Sequence, residues 1–427
     1  MIATAMTILL VLIGLSIPVG AALGVLGLTL DPMFSELPLT RALGEISWNS
    51  NNEFLLVAIP LFILLGEVLL RAGLAEKMYQ SMSLWLSWLP GGLMHANIGA
   101  STLFSATSGS SVATSATVGT VAIPQIKKHG YKESLFLGSL AAGGTLGILI
   151  PPSINLVLYG VLTNSSVPKL YLAGILPGFM LAGMFILIII IACVLKPEWG
   201  GKKIYASWGE RFRSLVNLLP PLGIFFLVVG SIYAGLATPT EAAALGVFGA
   251  LVLAAFYRRL SLNMLREAIE GTMKSTAMIM LIVIAAAFLN FVMSATGLTN
   301  AITDFIGGLG LSAGWMLLVL VIFYLVLGCF METLSMMITT IPIVTPVMIG
   351  LGYDPVWLGI MIIILVEAAL ITPPVGMNLF VVQSLRKSGS MNDVIVGSLP
   401  FVAAMFVMLL LLSLFPAIAM WMPTTFG

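Results

Sequence analysis

Two pairs of adjacent prolines interrupt two of the most apolar stretches of this chain. The first pair lies in TLGILIPPSINL (145–156), and the second lies in EAALITPPVGMNL (367–379). Proline has no amide donor, and its ring clashes with the preceding helical turn, so each pair predicts a broken helix. Each break leaves backbone polar groups without partners, which restricts the environments that can surround these stretches.

The composition is that of a protein that crosses a membrane many times. The chain has 427 residues, of which 59% are apolar and 8% are charged, whereas soluble proteins carry about 25% charged residues. Runs of about 20 apolar residues, enough to span the hydrocarbon as a helix, recur along its whole length. Because lipid offers no hydrogen bonds, the two broken helices must be buried in protein or line a cavity.

The sequence predicts an all-α polytopic membrane protein with two kinds of apolar segment. The stretches 91–126 and 312–352 are too long for one helix and carry small or polar residues near their middle, so they predict re-entrant helical hairpins. The stretch 2–30 lacks a basic start and a cleavage site, so we interpret it as a retained helix. The predicted spans are 2–30, 54–72, 133–162, 169–195, 216–236, 241–257, 275–295, 357–385 and 395–421.

The basic residues predict the orientation of these segments. Cytoplasmic loops carry an excess of Lys and Arg, and one arrangement of the spans leaves only Arg41 and Lys169 on the opposite face. This arrangement predicts a cytoplasmic N-terminus and an external C-terminus. The hairpin at 91–126 then opens from the cytoplasm, and the hairpin at 312–352 opens from outside.

The two broken helices belong to an internal repeat. Each position of one set recurs 222 residues later with the same residue type: Thr117, Pro124, Gly130, Tyr131, Pro151 and Pro152. An odd number of predicted spans separates the two hairpins, so the two halves have opposite orientations. Inverted repeats with broken helices at corresponding positions are typical of secondary transporters whose sites lie near the midplane.

The residues around the breaks suit a hard cation. Broken helix ends expose carbonyl and amide groups, each end carrying about half a charge. The first hairpin adds ten hydroxyl side chains within STLFSATSGSSVATSAT (101–117), and hard cations prefer oxygen ligands. Small residues also allow close helix packing, so the two roles can coexist. The second hairpin is less polar and offers a carboxylate, Glu332, in LGCFMETLSMMITT (327–340).

Carboxylates at membrane depth are candidates for function because inserting one costs about 2.5–3.5 kcal/mol. Glu67 is expected to pair with Arg71 one helical turn later. Glu241 lies in ATPTEAAALG (237–246) and either stabilises a helix N-terminus or takes part in function. Glu332 and Glu367 lie nearest to the second break, where they could tune a cation site or carry protons.

The remaining polar residues and motifs define the class of energy source. Asn155 and Asn378, which follow the two proline pairs, are predicted to cap helices or to contact substrate, and His95 is predicted to be structural. The sequence contains no Walker A, HExxH or dinucleotide-binding motif, so an ion gradient must supply the energy. No convergent acid–base set indicates an enzyme, and no continuous polar stripe indicates a channel. An anionic substrate would be held by helix N-termini and hydroxyl groups.

Four stretches together resemble the large membrane subunit of tripartite ATP-independent periplasmic (TRAP) transporters, and the resemblance covers essentially the whole chain. They are the serine-rich hairpin, ATPTEAAALG, GILIPPS (147–153) and ITPPVGMNL (371–379). The resemblance implies a bacterial inner-membrane importer of organic acids such as C4-dicarboxylates or sialic acid. It also implies sodium coupling, an elevator mechanism, a periplasmic binding protein and a small four-helix membrane subunit. A stand-alone sodium- or proton-coupled anion carrier is the alternative.

The resemblance also implies which residues bind the ions and the substrate. The first sodium site would use the side chains of two hairpin residues and three carbonyl groups: Ser105, Ser108, Gly147, Ile150 and Pro151. The second would use four positions: Gly328, Ala369, Thr372 and Val375. Positions 147 and 150 become 369 and 372 at the repeat offset, and the alanine at 369 makes close approach harder than the glycine at 147. The substrate pocket would lie between the hairpin tips, near Ser108, Ser110, Ser111, Asn155, Thr333, Ser335 and Asn378.

The elevator mechanism implies a division into a scaffold and a moving transport domain. The scaffold is predicted at 1–52, 169–274 and 391–427, and scaffold helices with interfacial arms are predicted at 53–90 and 275–311. The arms themselves are assigned to 75–90 and 299–308. The transport domain is predicted at 91–168, with the first hairpin and broken helix, and at 312–390, with the second.

Overall fold

A computed structural model describes residues 1–15, 17–202, 206–298, 301, 308, 310, 312–329, 331–386 and 388–426, apart from the side chains of residues 106–108. Throughout these ranges, the regular structure is helical. Ten helices cover residues before position 200: α1 Ile2–Gly14, α2 Val19–Phe34, α3 Leu43–Asn51, α4 Ala58–Arg71, α5 Leu74–Leu86, α6 Leu93–Ser108, α7 Ser111–His129, α8 Glu133–Leu149, α9 Ile154–Thr163 and α10 Val167–Leu195.

Ten further described helices follow: α11 Trp208–Leu215, α12 Leu219–Tyr233, α13 Pro239–Phe256, α14 Leu262–Ala295, α15 Ala313–Leu327, α16 Thr333–Gly350, α17 Pro355–Ile371, α18 Met377–Ser384, α19 Met391–Leu414 and α20 Ala417–Phe426. Seven described helices, or continuous helical stretches, are long and apolar enough to cross a membrane, and a bent pair makes an eighth. The fold is therefore the predicted all-α, multi-span architecture.

Both predicted hairpins are present, and each is closed at its base by a tyrosine. In the first hairpin, α6 and α7 meet at Gly109, which has a φ of +61°, a value that glycine adopts at little cost. The hydroxyl of Tyr131, just after α7, accepts a hydrogen bond of 2.9 Å from the amide of Leu93 at the start of α6. In the second hairpin, the Tyr353 hydroxyl donates to the carbonyl of Ala313 at 2.9 Å. Tyr131 and Tyr353 are equivalent in the repeat.

Both predicted broken helices are also present. The first consists of α8 and α9, which are bent by 43°, and the second consists of α17 and α18. The residues that end α8 and α17 have nearly the same extended backbone: Ile150 has φ −86° and ψ 124°, and Thr372 has φ −90° and ψ 128°. The second break is one residue longer, so the repeat offset increases from 222 to 223 after the prolines.

The helices of the two halves pack against each other reciprocally, as a two-fold relationship requires. The helix after the first break, α9, packs against α16 of the second hairpin, and α18 packs in the corresponding way against α7 of the first. The long helix α8 also contacts α17, its equivalent in the second half. These contacts place the hairpins and broken helices of both halves in one cluster.

The helix that follows the second half lies against this cluster at backbone distance. A Cβ atom added to Gly138 in α8 would overlap the carbonyl oxygen of Gly397 in α19, and one added to Gly397 would overlap the carbonyl oxygen of Ser134. Small residues are what allow two membrane helices to approach so closely. The helices α10 and α19 both contact α8 and α17.

Two predicted spans are wrong in detail. The stretch 2–30 is not one helix, because α1 ends at Gly14 and Pro18 precedes α2 with φ −53° and ψ 136°. The stretch 395–421 is likewise divided, because α19 ends at Leu414 and α20 begins at Ala417, after Pro416. In both places a proline withholds the amide that a continuous helix would require. The predicted arm at 75–90 contains α5, whereas the arm at 299–308 lies outside the described residues except for residues 301 and 308.

Candidate functional site

A cavity of about 340 Å³ lies where the two hairpins and the two broken helices meet. One wall consists of the hairpin tips, residues 109–113 and 332–334, together with residues that flank both breaks. The opposite wall consists of α4 and α14, including Glu67 and Ser275. The cavity therefore separates the repeat cluster from helices that precede it in each half of the chain.

Four helices point their N-termini at this cavity. Residues at or next to the start of α7, α9, α16 and α18 all line it. A helix N-terminus carries about half a positive charge and unpaired amide donors. These helix ends favour a negative group, although the described lining contains no Lys or Arg and does contain the side chains of Glu67 and Glu332.

The caps of these helices differ from the prediction. Ser110 caps α7 by accepting from the Ala113 amide at 3.3 Å, and Ser153 caps α9 by accepting from the Leu156 amide at 3.3 Å. Glu332 caps α16 through the Ser335 amide at 3.4 Å. Asn155 and Asn378 cap neither α9 nor α18, since each lies one residue inside its helix, where the side chain cannot reach back to the N-terminal amides.

The predicted substrate contacts divide into three groups. Ser110, Ser111, Asn155 and Thr333 line the cavity. Ser335 and Asn378 are buried and are not among the described residues that line it. Ser108 ends α6, and its side chain lies outside the description. Asn155 donates from Nδ2 to the sulfur of Met337 at 3.3 Å, which directs its amide toward the second hairpin.

The prolines leave particular carbonyl groups without a helical amide donor at the two breaks. In a continuous helix the amides of residues 151 and 152 would bond to the carbonyls of Gly147 and Ile148, and prolines cannot supply those amides. In the same way, Pro373 and Pro374 leave the carbonyls of Ala369 and Leu370 without their helical partners, although the Thr372 amide approaches the Ala369 carbonyl at 3.4 Å. Of the predicted sodium ligands, Gly147 thus has a carbonyl without its helical partner, whereas the carbonyl of Ala369 has only the long bond from the Thr372 amide.

Each of these carbonyl-bearing residues lies against a hairpin. A Cβ atom added to Gly147 would be 3.2 Å from the carbonyl oxygen of Ser110 and from the Ser111 amide, so a larger residue would require the hairpin backbone to shift. In the second half the glycine belongs to the hairpin instead of the broken helix. A Cβ atom added to Gly328 in the hairpin would overlap the methyl group of Ala369. The alanine at 369 is thus accommodated by a glycine on the other side of the contact.

Two other predicted sodium ligands have hydroxyl groups that bond locally. The Ser105 hydroxyl donates to the carbonyl of Ser101, and the Thr372 hydroxyl donates to the carbonyl of Ala368 at 2.6 Å. Pro151 is buried, and Val375 lies in the second break. Among the described residues, His, Cys, Asp and Glu side chains form no group of three or more that could hold a metal ion. The oxygen atoms at the breaks are therefore backbone and hydroxyl oxygens, which suit an alkali cation better than a transition metal.

The candidate acids have separate roles. Glu67 and Arg71 form the predicted ion pair, and Arg71 also lies 3.5 Å from Glu267. Glu241 forms a capping box with Thr238, whose amide donates to the Glu241 carboxylate at 2.7 Å, so its role at a helix N-terminus is confirmed. His95 bonds through Nε2 to the carbonyl of Pro90 at 2.7 Å, which agrees with a structural role.

Sequence reasoning missed the wall that α4 and α14 contribute. Glu67 lines the cavity in addition to pairing with Arg71. Phe104 contributes an aromatic surface from α6. The signal available for Glu67 was its placement in a predicted span. Nothing in the spacing indicated that this span would face the broken helices.

The fold and the cavity define a membrane transporter built from two related halves, with its site between helix breaks. The model of the family described as "Tripartite ATP-independent periplasmic transporter, DctM component" matches residues 6–418. The chain belongs to this family, and the predicted resemblance is confirmed.

Curated relatives support the same family and differ in their named substrates. The C4-dicarboxylate TRAP transporter large permease protein DctM of Vibrio cholerae is 32% identical over 96% of this chain and 94% of its own length. The sialic acid large permease protein SiaM of the same species is 31% identical over 88% and 87%. The isethionate permease protein DctMQ of Oleidesulfovibrio alaskensis is 31% identical over 95% of this chain and 64% of its own length. All three are named as transporter permeases and not as enzymes.

A solved structure shares the fold. The YdaH transporter of Alcanivorax borkumensis aligns with a TM-score of 0.58 and 16% identity, covering 86% of this chain and 88% of that chain. At this identity the likeness concerns the fold alone.

Proposed function

We propose that this chain is the large membrane subunit of a sodium-coupled importer of a small organic acid in the bacterial inner membrane. The observation that carries the proposal is the cavity at which four helices begin and which is lined by residues that flank both helix breaks. N-termini favour the carboxylate of a substrate, and carbonyls favour a cation. One site can thereby bind both partners of a symport reaction.

The two sodium sites of the proposal lie at the two breaks. The first takes carbonyls of Gly147, Ile150 and Pro151 with the side chains of Ser105 and Ser108. The second takes Gly328, Ala369, Thr372 and Val375. Sodium bound at either break would hold a hairpin against its broken helix and so complete the wall of the cavity.

The substrate class is an organic acid, with C4-dicarboxylates and sialic acid as the leading candidates. The relatives are named for a C4-dicarboxylate, sialic acid and isethionate, each of which contains an acidic group. The cavity lining supplies hydroxyl groups from Ser110, Ser111 and Thr333 that can select among them by hydrogen bonding.

The transport step of the proposal is an elevator movement. The hairpins and broken helices form the moving part, and α4, α13 and α14 belong to the fixed scaffold. Because α10 and α19 pack on α8 and α17, with α19 at backbone distance, we assign them to the moving part. The sequence had placed them in the scaffold, within 169–274 and 391–427.

The partners are a small membrane subunit and a periplasmic substrate-binding protein. About a third of the isethionate permease DctMQ lies outside its match to this chain, which leaves room there for a second component. Exposed apolar side chains on α12 and α13, such as Phe226 and Phe248, offer a lipid- or subunit-facing surface.

The first experiment is uptake by proteoliposomes that contain this chain and its small membrane partner. Radiolabelled C4-dicarboxylate or sialic acid is supplied with and without the cognate binding protein, in sodium or potassium. We expect uptake only when sodium and the binding protein are both present. Uptake in sodium without the binding protein would instead indicate the stand-alone carrier, and uptake driven by a pH gradient without sodium would overturn the sodium sites.

The orientation is tested by single cysteines in a variant that lacks Cys193 and Cys329. We expect a cysteine at Ser165 to react with an impermeant maleimide in intact cells, because the distribution of basic residues predicts that this loop is external. A cysteine at Lys202 should react only after permeabilisation. The reverse pattern of labelling would contradict the predicted topology.

A further inference from the structure

Glu367 is a carboxylate in the interior of the chain that the proposed sodium sites do not use. It lies in α17 and is 1% exposed. One of its oxygens accepts a hydrogen bond of 2.7 Å from the Ser111 hydroxyl, whereas Oε2 has no hydrogen-bond partner among the described residues. The ion pairs of the described chain involve other acids. None of these ion pairs gives Glu367 a cationic partner.

A second unpaired oxygen lies one helical turn from Ser111. Ser115 follows Ser111 by four residues in α7, so both side chains lie on the same face. That face meets α8 closely, since a Cβ atom added to Gly144 would overlap the Ser115 hydroxyl and lie 3.1 Å from the Ser111 carbonyl. Ser115 is fully buried, and its hydroxyl has no partner among the described residues.

A third unpaired oxygen belongs to Asn378, the second residue of α18. Its Nδ2 donates to the carbonyl of Ala141 at 3.5 Å, its Oδ1 has no partner among the described residues, and the side chain is fully buried. Asn378 thus lies beside α8 at Ala141. Gly144, which contacts Ser115, follows Ala141 by three residues in the same helix.

The repeat predicts that Asn378 lies opposite Ser115. Asn155 is the second residue of α9, as Asn378 is of α18, and its amide contacts Met337 in α16 at 3.3 Å. The residue 222 positions before Met337 is Ser115. Because α18 packs on α7 as α9 packs on α16, we expect Asn378 to lie opposite Ser115 at the corresponding contact.

These groups have the chemistry of a cation site. A buried polar group without a partner costs about 1–3 kcal/mol, and a charged one costs more. A carboxylate, an amide carbonyl and a hydroxyl are ligands that hard cations prefer. One carboxylate balances one positive charge, which favours a monovalent ion over calcium or magnesium.

We propose that Glu367, Ser115 and Asn378, together with Ser111, form a third sodium site between the first hairpin and the second broken helix. This inference rests on the proposed sodium coupling and adds an ion to it. Ser111 lines the cavity, and Glu367 lies two residues before Ala369 of the proposed second site. An ion here joins the tip of one hairpin to the broken helix of the other half.

The other half of the repeat does not contain an equivalent site. The positions equivalent to Glu367 and Ser115 are Thr145 and Met337. The Thr145 hydroxyl already donates to the carbonyl of Ala142 at 2.7 Å, and Met337 offers a thioether, a poor ligand for sodium. The proposal therefore adds one ion and not two.

The test compares Glu367→Gln with the wild type by equilibrium binding of radioactive sodium. The protein is this chain with its small membrane partner in nanodiscs, with choline replacing sodium. We expect Glu367→Gln to bind one sodium ion fewer per chain, or to fill that site with at least about tenfold lower affinity, the smallest loss typical of an altered metal site. Ser115→Ala should weaken the same site. Glu241→Gln, which removes an exposed capping carboxylate, is the matched control and should bind sodium as the wild type does.

The outcomes separate this site from the coupling on which it rests. If the wild type binds no sodium, the proposed coupling fails. If the wild type binds sodium and Glu367→Gln binds the same number of ions with the same affinity, the third site is overturned and the coupling stands. A carboxyl group that is simply protonated gives this second result, because glutamine mimics it. Should Glu367→Gln fail to fold, unchanged sodium binding by Ser115→Ala overturns the site.

Discussion

Replacing Gly138 or Gly397 by alanine should prevent the transporter from accumulating as a folded protein. A methyl group at either position would overlap a backbone carbonyl of the facing helix, which cannot rotate away as a side chain can. Overpacking usually costs about 1–3 kcal/mol, and we expect the upper end or more because α8 and α19 must separate. Thermal unfolding of the detergent-purified protein, with yield as a second readout, measures the effect.

The control for this pair is Gly183→Ala in α10. Gly183 has no atom within 4 Å of an added Cβ atom, and alanine has the higher helix propensity. Its melting temperature should stay the same or rise. Equal melting temperatures for Gly138→Ala and the wild type would show that α8 and α19 do not approach as described.

Replacing Pro151 by alanine should weaken sodium binding at the first break by about tenfold. Without the proline, α8 can extend past Ile150, and the new amide can then bond to the carbonyl of Gly147. A net amide–carbonyl hydrogen bond is worth about 0.5–1.5 kcal/mol, the upper value being about tenfold in affinity. A sodium titration of uptake in proteoliposomes measures the change as a higher half-saturating concentration. Pro373→Ala should act in the same direction through the carbonyl of Ala369.

Pro177→Ala in α10 is the matched control. Its new amide would bond within a continuous helix to the carbonyl of Ala173, which no proposed site uses. Its half-saturating sodium concentration should equal that of the wild type. A sodium titration of Pro151→Ala that also matches the wild type would remove the Gly147 carbonyl from the proposed ligands.

The sequence predicts most of the architecture because hydrocarbon thickness and the missing proline amide act locally. The spans, the hairpins and both helix breaks follow from these two constraints, and the repeat follows from the matching positions of the breaks. Single prolines are harder to interpret, since Pro18 and Pro416 lie between helices whereas Pro124 and Pro400 lie inside helices. Neighbouring groups determine whether a freed carbonyl is tolerated, and those neighbours come from elsewhere in the chain.

The details of the site depend on contacts that no local pattern contains. The bond between Ser111 and Glu367 joins residues 256 positions apart, and the facing position of Ser115 and Asn378 requires the packed repeat. The error in the predicted caps has a smaller cause, because moving a helix start by two residues changes which side chain can cap it. Ser153 caps α9 where Asn155 was expected as a candidate.

The contact between Gly328 and Ala369 shows how the two halves have diverged since duplication. The equivalent positions in the first half are 106 and 147, occupied by alanine and glycine, so the two residues have exchanged sides. Both halves thus carry one glycine and one alanine at these two positions, with the alanine on opposite sides. A pair of residues found in one half is therefore one that the other half could accept, provided that both partners change together.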